Sequence, residues 1–444
     1  MSAGRTATAG PGTGTRSSAR ITVVGASAAG LAAVEALRRA GWDGAITLVG
    51  DEPHLPYDRP PLSKQLLSGA WEPGRLALRD AEKLAALDLD LRLGTRATAL
   101  DAGARKVSLD DGSVLECAGV VIATGVRARP LPGDGDRDNS GSGDSSGGAL
   151  LLRTLDDALA LRERLSAPGR RVAVAGMGVL GAEAAAVARE LGHEVTLVGS
   201  GTVPMEGVLG TEVGALLAEA HRSHGVELRG GRRVVGPVHT SPQGEGDPYG
   251  SPYGVRLDDG SVVEADTVLA AVGSEAAVDW LEGSGLDAGA AAGVGCDVYC
   301  AAAPGVYAAG DVARWEHRTL GRALRVEHRM NATEQGMAAA RNLLAELDPE
   351  RFGERREFTP VPYFWSDQFG LKLQSYGHLT GNAGRTEVRV LGTDPLSAVA
   401  LYGEGGRALG VLGIGIAPRQ MRGLRALVAE QREWKAAVNE LPTP

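Results

Sequence analysis

Two stretches of the chain share one pattern: a short, uniformly apolar run, a glycine-rich step, an Ala-rich segment and a second apolar run. They read ITVVGASAAGLAAVEALRRAG at 21–41 and RVAVAGMGVLGAEAAAVARELG at 171–192. The opening runs are β-branched and do not alternate between polar and apolar positions, as expected of parallel strands covered on both faces. The pattern predicts strands Ile21–Val24 and Ala45–Val49 around a helix Ala28–Ala40, with Gly41 as its left-handed cap. It predicts the same order in the second stretch: strand Val172–Ala175, helix Leu180–Leu191 capped by Gly192, and strand Glu194–Val198. Each unit is a βαβ crossover.

A further repeat follows each unit. Residues 109–125 (LDDGSVLECAGVVIATG) and 257–273 (LDDGSVVEADTVLAAVG) agree at ten of seventeen positions, so the chain duplicates a domain. The glycines supply the chemistry. In Gly176-x-Gly178-x-x-Gly181 the first glycine turns the chain, the second lets backbone approach a pyrophosphate and the third lets helix pack on strand. The start of the helix, at Val179 and Leu180, then offers free N–H groups and the positive dipole end to phosphate. Gly25-Ala26-Ser27-Ala28-Ala29-Gly30 is a weakened version with Ser27 in the middle place. One such turn is weak evidence. Two, in the same strand–helix context and each followed by the DGS repeat ending at Gly125 and Gly273, predict two bound nucleotides. Asp51 and Glu52, after the second strand of the first unit, are placed to bind a ribose diol. The matching stretch Val198-Gly199-Ser200-Gly201 has neither acid nor arginine, which leaves NADH against NADPH open with a lean to NADH.

Composition narrows the classes. At 444 residues the chain has room for about three domains of roughly 150 residues. Charged residues at 23% and hydrophobic ones at 43% are the balance of a soluble globular protein. A net charge of −9 with scattered basic stretches argues against a nucleic-acid partner, and no apolar window is long enough for a membrane span or, in residues 1–20, for a secretory signal. Three cysteines, Cys117, Cys296 and Cys300, suit a reducing compartment, so a cytoplasmic location is expected. Residues 1–19 are expected to form a disordered tail and 133–148 (GDGDRDNSGSGDSSGG) a Gly/Ser linker.

Taken in order, Gly25–Gly30, Pro56-Tyr57-Asp58-Arg59-Pro60-Pro61-Leu62-Ser63-Lys64, Ala123-Thr124-Gly125, Gly176–Gly181 with Glu183, Tyr307-Ala308-Ala309-Gly310-Asp311-Val312, Val326-Glu327-His328 and Pro362-Tyr363-Phe364-Trp365-Ser366-Asp367-Gln368 form a specific series. From about residue 20 to at least 376 the chain resembles the FAD-dependent ferredoxin reductases of the putidaredoxin and rubredoxin reductase type, a branch of the pyridine nucleotide-disulfide oxidoreductases without a redox dithiol. The resemblance implies that the first fingerprint holds the FAD pyrophosphate, that Arg59 and Lys64 lie beside the flavin, and that Lys64 pairs with Glu183 where nicotinamide meets flavin. It further implies that Asp311 accepts hydrogen bonds from the ribityl chain and that Trp365 lies by the flavin toward a redox partner. Gly310, Glu327 and His328 join the cofactor-binding candidates on the same ground. An NADH-driven reduction of an iron–sulfur ferredoxin, serving a monooxygenase or dioxygenase, is the implied activity.

Plainer readings stand beside these. Lys64 can be a solvated lysine, Glu183 a first-turn acid, Trp365 a core aromatic and the PPLSK segment a Pro-rich turn. The series also departs from its relatives: Arg329 follows His328 where a tryptophan is usual. No cysteine precedes Cys117, which excludes a dithiol relay early in the chain. Cys296 and Cys300, on a β-like edge, read as small hydrophobes, and His221 and His224, near a helix end, lack the companions of a metal site, so no metal is expected. Remaining alternatives are an NADH oxidase or a rubredoxin, quinone or dye reductase of the same fold, a redox-sensing flavoprotein similar to apoptosis-inducing factor, or a scaffold without flavin.

The expected class is α/β: two interleaved Rossmann-like domains, with 20–132 and 275–329 binding FAD and 149–274 binding NAD(P)H, and a C-terminal α+β domain at 330–444. In the last, strands Glu387–Leu391, Ala398–Tyr402 and Leu409–Ile416 precede a single helix Arg419–Ala437. Its Arg419, Arg422 and Arg425 would attract an acidic iron–sulfur partner, although a solvated helix face explains them as well. The oligomeric state stays open.

Overall fold

A computed structural model describes residues 19–133, 148–239, 253–379, 387–394 and 397–442. The expected tail and linker fall almost wholly outside these residues.

The first core is built around Arg20–Val24, whose last four residues are all buried. It runs parallel to Ala45–Gly50 on one side and Gly119–Ile122 on the other; Asp90–Leu93 and Val306–Ala308 extend the sheet, and Ala301–Ala303 closes one edge antiparallel. The second core repeats the plan, with Arg171–Ala175 between the parallel strands Glu194–Gly199 and Thr267–Ala270, and Glu227–Gly230 outermost. The helices are Ala28–Arg39 and Val179–Glu190, each starting within a residue of its expected first position. Each unit also carries a three-stranded antiparallel sheet: Ala97–Asp101, Lys106–Leu109 and Val114–Glu116 in one, Val234–His239, Tyr253–Leu257 and Val262–Ala265 in the other. The repeated DDGS is its tight turn, with Gly112 at φ 82° and Gly260 at φ 84°.

The chain leaves the first unit along Val126–Ala128 and returns along Ser274–Ala276, and these two strands pair antiparallel. Entry and exit therefore lie side by side, which lets a whole domain be inserted without disturbing the first sheet. The helix Arg329–Leu347, beyond the expected boundary at 329, packs in the first core through Ala332, Ala339, Ala340 and Leu343.

Five antiparallel strands make the C-terminal sheet in the order Tyr363–Gln368, Leu371–Gly377, Arg407–Ile414, Ser397–Glu404, Glu387–Asp394. The architecture is thus α/β with two Rossmann-type parallel sheets and a C-terminal antiparallel domain, as expected. The hairpin 363–377 was not expected as strands. One face of this sheet is covered by Met421, Leu424 and Leu427 of the helix Pro418–Ala429. The other packs Phe364, Leu373 and Leu412 against Leu209, Val213 and Leu217 of the helix Glu206–Ser223. This second contact brings the strand Tyr363–Gln368 to the second nucleotide unit.

Two expectations are corrected here. The single helix Arg419–Ala437 is two, Pro418–Ala429 and Trp434–Asn439, because Gln431 turns into the left-handed region (φ 47°) and Arg432 N closes back on Leu427 O. Cys296 and Cys300 do not share a strand edge: the strand Gly293–Cys296 ends at the first, and Cys300 lies past a turn at φ 69°. Both are buried, and burial pushes the Cys296 thiol up to about 12 and that of Cys300 well above its ordinary value, so both are inert as nucleophiles.

Candidate active site

The two fingerprints fold alike. Gly25 and Gly176 turn the chain at φ 120° and φ 119°. A Cβ on Gly30 would come within 1.8 Å of Gly25 O, and one on Gly181 within 1.9 Å of Gly176 O, so helix and turn touch through backbone in both. Ser27 is the N-cap residue of the first helix without a side-chain capping bond, and Ala28 and Ala29 open that helix. Gly178 caps the second, faces open space and is followed by half-buried Val179 and Leu180.

Gly25, Ser27, Asp51, Glu52, Arg59, Ala123 and Thr124 line a single cleft of about 750 Å³. Arg153 and Trp280, which sequence reasoning missed, line it as well. Both are isolated residues without a periodic signal. Trp280 Nε1 is buried there without a partner among the described residues. Arg59 donates to Glu52 Oε1 (2.6 Å), to the Tyr57 hydroxyl (2.9 Å) and to the Arg153 carbonyl (2.6 Å), and the Tyr57 hydroxyl donates to Glu52 Oε2 (2.5 Å). Burial raises the Tyr57 phenol above its ordinary value and so keeps it a donor. Both oxygens of Glu52 are thereby engaged within the protein, and Asp51, exposed in the same cleft, is the acid that faces outward. Asp311 accepts from Arg153 (3.3 Å), and the N–H of Gly310 donates to Gln335 Oε1 (2.9 Å). Gly125 adopts φ 68° beside Arg153, and Gly273 φ 111°.

Lys64 and Glu183, 119 residues apart in sequence, meet in the interior. Lys64 Nζ donates to Glu183 Oε2 at 2.6 Å, and the two residues are 9% and 3% exposed. The short 3₁₀ turn Pro60–Ser63, set by its two prolines, delivers Lys64, while the first turns of the helix Val179–Glu190 deliver Glu183. Lys64 also donates to Pro60 O (3.1 Å). Two hydroxyls complete the carboxylate: Ser63 donates to Oε2 (2.6 Å) and Ser366 to Oε1 (2.7 Å). All three parts of the chain therefore converge on one buried ion pair, with both carboxylate oxygens hydrogen-bonded as burial of charge demands.

The remaining candidates are distributed around this centre. The alternation of the strand Tyr363–Gln368 turns Phe364 and Ser366 inward, so Trp365 lies on the opposite face, half-buried and stacked on Tyr363 (ring centroids 5.8 Å apart). His328 lies 5.3 Å from the Phe364 ring, with Nδ1 unpartnered, and burial lowers its pKa to about 4. Glu327 is exposed and accepts from Ser274 (2.9 Å) and Arg325 (2.7 Å). Arg329 pairs with Asp58 of the Pro-rich segment, tying the helix Arg329–Leu347 to the site. At the end of the strand Glu194–Gly199, where no acid is found in sequence, Glu206 folds back onto Thr202 N (2.5 Å). No group of His, Cys, Asp or Glu among the described residues is placed to hold a metal ion, and no helix among them is long and apolar enough to cross a membrane.

Residues 19–336 match the family of pyridine nucleotide-disulphide oxidoreductases, and 363–440 match the reductase C-terminal domain. The chain belongs to the pyridine nucleotide-disulphide oxidoreductase family. Within it, the chain is 36% identical over 385 residues to the ferredoxin–NAD(+) reductase component of the anthranilate 1,2-dioxygenase system of Burkholderia cepacia, covering 86% of this chain and 87% of that one. It is 32% identical over 392 residues to putidaredoxin reductase of Pseudomonas putida, covering 88% and 87%. The crystal structure of a covalent putidaredoxin reductase–putidaredoxin complex superposes with a TM-score of 0.83 at 30% identity, over 95% of this chain and 96% of that one.

Proposed function

We propose that this protein is an FAD-dependent NADH:ferredoxin reductase, feeding electrons to an iron–sulfur protein that serves an oxygenase. The observation that carries the reading is the buried Lys64–Glu183 pair at the meeting point of two fingerprint units and the C-terminal strand. The names of the relatives, reductases of ferredoxins in dioxygenase and putidaredoxin systems, support it.

The residues of the cleft fit FAD. The Gly25–Gly30 turn with the helix Ala28–Arg39 would hold the pyrophosphate, Asp51 the ribose diol, and Arg153, Asp311, Thr124 and the unpartnered Trp280 Nε1 would meet its polar groups. The second turn, Gly176–Gly181, would hold the NADH pyrophosphate. Bound FAD supplies a ring that accepts a hydride and releases electrons one at a time. Arg59 is held rigid by Glu52 and Tyr57, and Lys64 by Glu183 and Pro60 O, so both cations are oriented before any ligand arrives. Charge fixed in a site of low water content acts more strongly than it would in solvent. The chain offers no early thiol pair to receive electrons, and its three cysteines are buried, which supports an external acceptor and a reducing, cytoplasmic setting.

Steady-state reduction of a panel of iron–sulfur carriers, flavins and dyes with NADH and with NADPH tests the reading. A [2Fe–2S] ferredoxin reduced with NADH in preference to dioxygen and quinones is the expected result. Turnover confined to dioxygen would establish an oxidase instead.

A further inference from the structure

The Lys64–Glu183 pair is the inner end of a longer buried chain. Ser366 Oγ donates to Glu183 Oε1 (2.7 Å), Gln368 Nε2 donates to Ser366 Oγ (3.1 Å), and Gln368 Oε1 lies 2.8 Å from His221 Nε2. Ser366, Gln368 and His221 are 0%, 2% and 0% exposed. The chain has a definite direction. A carboxylate only accepts, so the single hydroxyl proton of Ser366 points to Glu183 and its oxygen must accept from the Gln368 amide. That leaves the Gln368 oxygen to accept in turn, so His221 carries its proton on Nε2. His221 Nδ1 is buried without a partner among the described residues, as a neutral ring in this tautomer leaves it. Burial also depresses the basicity of His221, in keeping with the neutral form. The amide assignment follows from this network. The helix Glu206–Ser223 supplies His221, and the packing of Leu209, Val213 and Leu217 against the C-terminal sheet fixes its distance from Gln368.

We propose that Ser366 and Gln368 are positioning residues for the hydride-transfer site, holding the Glu183 carboxylate aimed so that it fixes the position of Lys64 Nζ. Neither touches the cleft of the first nucleotide unit; each acts through Glu183. The residues alternate along one strand, Ser366 and Gln368 facing inward two positions apart, so a β-strand is the element that can present both donors in series. The inference rests on the reading of Lys64 and Glu183 as the contact between the two rings.

The test is a double-mutant cycle read by anaerobic stopped-flow reduction of the bound flavin by NADH. Ser366→Ala is expected to lower the limiting reduction rate about tenfold, the loss of one hydrogen bond to a charged group, while the apparent Kd for NADH stays within about twofold. Glu183→Gln is expected to slow reduction more. In the Glu183→Gln background the further change on adding Ser366→Ala is expected to fall to about twofold or less, since the group it acts through is gone. Gln368→Met, similar in volume, is expected to follow Ser366→Ala with a smaller loss. A merely structural Ser366 would cost the same factor in both backgrounds, and that result overturns the proposal while leaving the ring-contact reading intact. If Glu183→Gln alone left the reduction rate unchanged, the ring-contact reading would fail and the proposal with it. Flavin content per chain, read from the visible spectrum, separates either outcome from misfolding.

Discussion

A lysine and a glutamate in the interior are tolerable only as a pair. Replacing Lys64 by methionine leaves Glu183 buried with two hydroxyl donors and no cation, and is expected to cost about 3–5 kcal/mol of stability. Urea unfolding of the two proteins measures this difference, and equal midpoints at equal m-values would contradict the assignment of the pair as tightly coupled. At this scale the sequence was informative where a motif names a residue and silent where it does not. Lys64 and Glu183 were singled out by their places in PPLSK and after the fingerprint. Ser63 and Ser366 were not assigned as their partners, nor Arg153 as that of Asp311, because a small hydroxyl or an isolated arginine leaves no periodic trace. Glu52 was expected to meet a ribose. Tyr57 and Arg59, five and seven residues further on, each donate to one of its oxygens, which no strand-end rule foresees.

The duplicated element gives matched substitutions with different outcomes. Gly30→Ala would drive a methyl into Gly25 O and is expected to yield protein purified with little flavin. Gly181→Ala makes the same clash with Gly176 O in the second unit and is expected to retain its yellow colour while its reduction by NADH slows at least tenfold. Visible spectra and NADH titrations distinguish them; loss of flavin from both would show that the units are not functionally separate. A second element-level prediction concerns the seam between the first core and the C-terminal sheet, where His378 lies 6.0 Å from His317 and also senses His328 and Arg322. Burial lowers the pKa of His378 to about 4, below the roughly 6.5 of a free histidine, so the folded state favours its neutral form. Its contribution is complete above about pH 6.5 and is lost as pH falls toward 4, by on the order of 3 kcal/mol. His378→Gln, which takes up no proton, is therefore expected to lose less stability than the parent across that interval; parallel thermal-stability curves would refute the assignment. Both βαβ units were legible to within a residue or two, because strand and helix periods differ sharply. The final helix was not, since Gln431 entering the left-handed region breaks a run that reads as continuously helical.

For the whole molecule, the interleaved order follows from the pairing of Val126–Ala128 with Ser274–Ala276, and the repeat at 109–125 and 257–273 makes the duplication legible in the sequence. What the repeat left hidden was the seat of the C-terminal sheet on the helix Glu206–Ser223, a contact between surfaces far apart in sequence. Arg419, Arg422 and Arg425 are exposed on the helix Pro418–Ala429, so Arg422→Glu is expected to raise the KM for an acidic ferredoxin severalfold at low salt, with the difference shrinking as ionic strength rises. An unchanged KM would mean that the partner docks elsewhere. The central claim, that two nucleotide cradles meet at the Lys64–Glu183 pair so that a pyridine nucleotide reduces a bound flavin, has a direct measurement in anaerobic mixing of the purified yellow protein with NADH, followed at the flavin absorption. The flavin band is expected to bleach in a single turnover and to return when oxidised ferredoxin is added; a band that NADH leaves untouched would contradict this claim.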